Sequence, residues 1–237
     1  MRTPKPVGME TVVKTFAAIP ELAGAGVFTG ANALYLEHID NDWGRFSLDI
    51  DLQNQSEELE TIHRRFSPQA KRKLNLISRL SEERYEYEAR VGNQIVRVEL
   101  AKPYLRHRRK YHASRHIPGL AVLDLADLMF AKISAFSTRG FARDLIDLMA
   151  IDRQRRIDWQ KLLGQAARAS DNDYNPTEFH RKLVEHQRRC AATGSCAETI
   201  EFALPGGGSS ESAMSEELQY PPAAARPCPG PQGAAQL

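Results

Sequence analysis

Apolar residues recur at two different intervals along this chain, and the switch between them limits the folds open to it. From Arg45 to Leu52, the apolar Phe46, Leu48, Ile50 and Leu52 alternate with Ser47, Asp49 and Asp51, the pattern of a strand with one wet face. Tyr85 to Val91 and Gln94 to Leu100 alternate in the same way across Gly92 and Asn93. That dipeptide readily supplies the positive φ of a tight turn, so an antiparallel hairpin is expected. After Pro118 and Gly119 the interval lengthens. Leu125, Leu128, Met129, Ile133 and Phe136 fall three and four residues apart, which makes an apolar stripe on a helix. Further helices are expected from Phe141 to about Arg153 and from Trp159 to about Ala167. Upstream, Met9 to Ala18 suits a short amphipathic helix stopped by Pro20, and Val27 with Phe28 suits a brief strand that breaks at Gly30. Ala31 to His38 and the charged stretch from Glu57 to Leu80, interrupted by Pro68, read as helical.

These elements suggest three parts: a core over residues 1–118, a helical part over 119–203 and a tail over 204–237. In the tail Gly, Ser, Pro and Ala dominate, and so little apolar surface cannot offset the entropy of ordering it, so disorder is expected. No apolar run approaches the roughly 18 residues that span a bilayer, and the N-terminus lacks a leader-like stretch, which points to the cytoplasm and away from a membrane. Cys190, Cys196 and Cys228 form no zinc-ligand spacing and read as free thiols. The formal net charge is only +2, but cations cluster: Arg64, Arg65, Lys71, Arg72 and Lys73 in one stretch, Arg106, Arg108, Arg109, Lys110 and Arg115 in another. Either cluster is compatible with a phosphate-tracking surface or with an ordinary solvated loop.

The residues best placed for chemistry are Asp49 and Asp51. One residue apart on a strand, their carboxylates leave the same face, and they repel each other unless a cation lies between them. Magnesium takes hard oxygen ligands from one or two carboxylates together with substrate phosphates, so the pair fits a metal beside a triphosphate as well as it fits a plain solvent-facing strand. Gly30 opens the helix from Ala31, where backbone N–H groups can hold a phosphate. Glu99 shares the wet face of its strand. If the hairpin pairs beside the Arg45 to Leu52 strand, Glu99 becomes a third carboxylate near the metal; otherwise it pairs with Arg97 or a neighbour.

Lys132 lies at helical spacing among Leu128, Met129, Ala135 and Phe136, so its stem runs along the apolar stripe and its amine must snorkel out or meet an anion. Asp144 and Asp147 share a helix face with Leu148 and Ile151. Carboxylates there call for partners, and Lys132, Arg139 or Arg143 can supply them.

Taken in order, these pieces resemble the AbiEii/AbiGii-type toxin family of nucleotidyltransferase-like proteins. Val27-Phe-Thr-Gly-Ala-Asn-Ala-Leu-Tyr-Leu is similar to that family's first motif, a strand followed by Gly-Gly-Ser/Thr and a helix, except that Gly30 is followed here by Ala31 and Asn32. Arg45-Phe-Ser-Leu-Asp-Ile-Asp-Leu resembles the second, and Asp40 to Gly44 reads as an insertion before it. Leu125 to Arg139, with Lys132 and Arg139, resembles the third, and Arg143-Asp-Leu-Ile-Asp-Leu, with Asp144, the fourth.

The resemblance implies an α+β fold, a mixed-sheet nucleotidyltransferase core with a helical C-terminal part. It implies magnesium on Asp49 and Asp51; two ions are expected, and Glu99 is the further candidate ligand that its strand face offers. It also implies nucleotide contacts from Gly30, Asn32, Arg45, Ser47 and Lys132, with Asp144 helping to hold the site. The implied activity is transfer of a nucleotide from an NTP to a hydroxyl of RNA, such as a tRNA 3′ end, or of protein, under the control of a cognate antitoxin protein. A catalytically inactive module that binds nucleotide or RNA, and a structural protein whose acids merely cap a strand, are the competing readings.

Overall fold

The computed structural model describes residues 8–40, 47, 49–54, 56–103, 109–169 and 175–193. Arg45, residues 41–44 of the expected insertion, Arg106, Arg108, Cys196, Cys228 and the tail from 204 lie outside those residues, as does the side chain of Cys190.

The chain begins with helix α1 (Met9–Ala18), which buries Val12, Thr15 and Phe16 and gives way to a single 3-10 turn at Pro20–Leu22. Proline has no N–H to continue the helical ladder, which explains the break. Strand β1 (Val27–Thr29) runs directly into helix α2 (Gly30–Glu37), and strand β2 (Asp49–Gln53) alternates Ile50 and Leu52 inward with Asp49, Asp51 and Gln53 outward. Two short helices, α3 (Leu59–Arg65) and α4 (Pro68–Lys73), lead into strand β3 (Leu74–Ser81). The hairpin follows as β4 (Arg84–Val91) and β5 (Gln94–Ala101), turning at Gly92 with φ of 57°. Short strands β6 (Tyr111–Ala113) and β7 (Ala121–Leu123) precede four helices: α5 (Leu125–Arg139), α6 (Ala142–Arg155), α7 (Trp159–Ala169) and α8 (Pro176–Thr193).

One part of the sequence reading is overturned. The stretch from Leu74 to Leu80 is an edge strand and not the end of a helix. Ser67 caps α4 by accepting a hydrogen bond from the Ala70 N–H at 3.1 Å with Pro68 at the first helical position, but the helix ends at Lys73. From Leu74 onward the backbone gains more by pairing with the open edge of β4, which buries Leu74 and half-buries Leu76. Propensity gives way to tertiary pairing there.

The seven strands form one mixed sheet in the order β3-β4-β5-β2-β1-β7-β6. β2 runs antiparallel to β1 and parallel to β5, and β1 runs parallel to β7. The fold is α+β with a mixed sheet, as expected. A first apolar core unites Phe16, Phe28, Leu34, Ile50, Leu52, Tyr87, Val98 and Val122 beneath the sheet. A second, among α5 to α8, gathers Ile133, Phe136, Leu148, Trp159, Leu163 and Phe179, and Met129 and Ile157 pack against both. Among the described residues no helix is long and apolar enough to cross a membrane.

Candidate metal centre and its cation network

Sheet register brings the acids together. Parallel pairing of β2 with β5 sets Asp51 opposite Glu99 and Asp49 opposite Arg97, and the alternation of both strands sends all four side chains to the half-exposed face. One carboxylate oxygen each from Asp49, Asp51 and Glu99 lie within 4.8 Å of one another. The sequence condition for Glu99 to join the pair was that its strand lie beside the acidic one, and it does.

Three like charges in so small a space are costly. Burial drives the Asp51 carboxyl well above the ordinary carboxylate range, Asp49 and Glu99 push it further up, and Lys132 and Arg139 pull the other way. Glu99 is raised too, first by burial and then by Asp49, against the opposing charge of Arg84. Arg84 Nη2 donates to Glu99 Oε2 at 2.6 Å and to Glu86 Oε1 at 3.3 Å, so it is committed to two acids. The partner of Glu99 is therefore Arg84 and not Arg97. A divalent cation relieves the remaining repulsion, and three hard oxygen donors suit magnesium or manganese.

The first helix of the motif is fitted closely to this cluster. Gly30 has φ of 76°, and a Cβ there would stand 1.9 Å from Asp51 Oδ2. Only glycine allows both the backbone conformation and the carboxylate's approach. The two changes after it, Ala31 and Asn32, are accommodated: Ala31 is buried in the core, and Asn32 Nδ2 donates to the Asp49 carbonyl at 2.5 Å, tying α2 to β2. Asn32 Oδ1 is fully buried and accepts no hydrogen bond from the described residues. Thr29 makes no side-chain cap to α2, so the first-turn N–H groups keep their capacity to donate outward. Ser47 Oγ donates to Asp49 Oδ1 at 2.9 Å, so this serine orients a metal-ligand candidate.

Behind the acids lies a buried ion network joining α2, α5 and α6. Lys132 Nζ meets Asp147 Oδ2 at 2.6 Å and Asp144 Oδ1 at 3.5 Å, and both aspartates are fully buried. Arg139 holds Asp144 with two parallel bonds of 2.8 Å, from Nε and Nη2. Tyr35 on α2 donates to Asp147 Oδ1 at 3.0 Å, so that carboxylate is gripped on both oxygens. Burial works to raise the Asp144 carboxyl, but the Arg139 hydrogen bonds and the charges of Lys132, Arg139 and Arg143 outweigh it, and its pKa ends below the ordinary value. Arg139 and Arg143 both stack on the Phe141 ring, 5.3 and 5.2 Å from its centre. The partners that the sequence demanded for the two aspartates are thus Lys132 and Arg139.

Two contributors went unnoticed in the sequence. Arg84 has the right strand parity to face Glu99, a signal available once the hairpin register is known. Tyr35 has none, since its contact depends on how α2 packs against α6. Of the second basic cluster, Arg109 donates to Gln53 and Lys110 N donates to Asp127 Oδ2 at 2.7 Å, which ties the segment to the end of β2 and the start of α5.

No family model matches the chain. Comparison with curated proteins and with solved structures finds no match either. The functional reading therefore rests on the site itself.

Proposed function

We propose that this protein is a magnesium-dependent nucleotidyltransferase that passes a nucleotide from an NTP to a hydroxyl of RNA, a tRNA 3′ end among the candidates, or of protein. The observation that carries this reading is the arrival of Glu99, from a separate strand, against the Asp49 and Asp51 pair, in a cluster whose raised carboxyl pKa values call for a cation. Two bound magnesium ions would neutralise the triphosphate and lower the barrier to attack by the acceptor hydroxyl. Asp49 and Asp51 would hold the ions, and Glu99 would add a further ligand oxygen or take a proton from the attacking hydroxyl. The first turn of α2, opened by Gly30, would receive phosphate oxygens through backbone N–H groups, with Asn32 bracing the turn on β2. Lys132 would contribute positive charge next to Asp51 while anchored on Asp147, and Asp144 would keep Arg139 in place. The resemblance to the toxin family adds a cognate antitoxin protein as the regulator.

Incubation of the purified protein with each labelled NTP, magnesium and total RNA is the test. Label should pass to an acceptor with wild-type protein and not with Asp49→Asn or Asp51→Asn. Transfer that persists in Asp51→Asn would refute the assignment, and magnesium-dependent NTP binding without transfer to any acceptor would assign the alternative, a nucleotide-binding module.

A further inference from the structure

Charge balance singles out one more residue. Asp49, Asp51 and Glu99 together with two divalent ions and a triphosphate sum to a net negative charge, so the site must supply further cations. Most nearby ones are already committed: Lys132 to Asp147 and Asp144, Arg139 to Asp144, Arg84 to Glu99 and Glu86. Arg97 is different. It is half-buried on the same face of β5, in register with Asp49 on one side and Glu88 on the other. Yet it makes no hydrogen bond or ion pair with any described residue.

A guanidinium offers five N–H donors in a fixed fork that matches a phosphate, and those of Arg97, not engaged by any described residue, are left open to solvent or to such a ligand. Adjacent strands stand about 4.8 Å apart and Asp49 lies opposite Arg97, so a phosphate drawn to metal held by these acids would come within reach of Arg97. Gly30 and α2 approach Asp51 from the β1 side of β2, whereas Arg97 stands on the β5 side.

We infer that Arg97 is a substrate-phosphate contact of this centre, binding from the β5 flank a phosphate of either the NTP or the acceptor nucleic acid. The inference rests on the nucleotidyltransferase reading above and goes beyond it by naming a residue outside the four motifs. It also predicts effects of opposite sign. Arg97 repels a bare metal ion but attracts a phosphate, so Arg97→Met should bind Mn2+ alone as tightly as wild type or more tightly, while binding phosphate ligands more weakly.

The experiment titrates wild-type and Arg97→Met full-length protein with Mn2+ alone, followed by electron paramagnetic resonance, then with each of the four Mn2+–NTPs and with a short single-stranded RNA ending in a 3′ hydroxyl. A loss of roughly ten- to a hundred-fold is expected for one phosphate ligand, the size of a lost charge-assisted hydrogen bond. A loss confined to the NTP assigns Arg97 to the triphosphate, and one confined to the RNA assigns it to the acceptor. Arg97→Lys, which keeps the charge without the fork, should recover part of the affinity and guards against a folding defect in the methionine variant. Unchanged affinity for both phosphate ligands, or weakened binding of Mn2+ alone, overturns the role of Arg97. Failure of the wild-type protein to bind Mn2+ overturns instead the metal-centre reading on which it stands.

Discussion

Replacing Lys132 with Met removes an ammonium from one carboxylate that is fully buried and close, Asp147 at 2.6 Å, and from a second that is farther away, Asp144 at 3.5 Å. The two losses are unequal. Asp144 keeps its two-pronged bond from Arg139, whereas Asp147 loses its close ammonium and retains the hydrogen bond from Tyr35 among its contacts. Breaking a buried pair by deleting one partner costs about 3–5 kcal/mol, because a charge is left in a poorly solvating place. A single-domain unit of this size shifts its melting temperature by roughly 2–4 °C per kcal/mol, so Lys132→Met should melt roughly 6–20 °C below wild type. Asp147→Asn in the same background should recover much of the loss, since the carboxylate that lost its ammonium is then neutral, and the double-mutant cycle over Lys132 and Asp147 should show a strong coupling. The assay is thermal unfolding of the four proteins without metal. A Lys132→Met protein that melts within about 2 °C of wild type, or additive effects in the cycle, would show that the network carries little energy and that Lys132 is held chiefly for a ligand.

Three further outcomes are expected. Gly30→Ala places a Cβ 1.9 Å from Asp51 Oδ2 on a left-handed backbone, so it should cost about 1–2 kcal/mol in conformational strain and weaken Mn2+ binding; an unaltered metal affinity by electron paramagnetic resonance would contradict the geometry. Asp51→Asn should raise the melting temperature in the absence of metal, because one of three half-buried and mutually repelling acids is neutralised, and should abolish the stabilisation that wild type gains from Mn2+; a lower apo melting temperature would speak against the electrostatic account. Asp144 has a lowered folded-state pKa, so the stability it contributes is present above its unfolded value and disappears as the pH falls through the folded one. Urea midpoints of wild type and Asp144→Asn should accordingly differ most near neutrality and converge in acid, and a constant gap across that range would refute the linkage.

The parts of the fold that could be read from sequence are those where local pattern and final burial agree. Ile50 and Leu52 point inward because nothing else along β2 can, and Gly92 turns the β4–β5 hairpin. The strand at Leu74 was hidden because its residues form a helix about as well as a strand, and only the edge of β4 decides between them. Strands β6 and β7, three residues each, are too short for a period to show. The same boundary runs through the site. Asp49 with Asp51 is a local pattern and legible as such, whereas the company of Glu99 depends on a parallel pairing across forty-odd intervening residues that no short window contains. Lys132 announced a need for an anion by its place on an apolar stripe, but which anion answers it is a matter of helix packing.

That parallel pairing also sets the order in which a growing chain can acquire its chemistry. Asp49 and Asp51 leave the ribosome early, with no neighbour for β2 other than the three residues of β1. Glu99 reaches them only after the β4–β5 hairpin has been made and laid alongside, β1 gains its second neighbour only when Val122 has emerged, and Lys132 waits for Asp147. Long-range parallel pairings of this kind close late, because the loop entropy must be met before the contacts return it. A partly synthesised chain thus carries the Asp49 and Asp51 pair without Glu99 and no assembled centre. For a protein whose proposed reaction would act on RNA, translation machinery included, this arrangement delays any activity until the chain has been made as far as Asp147.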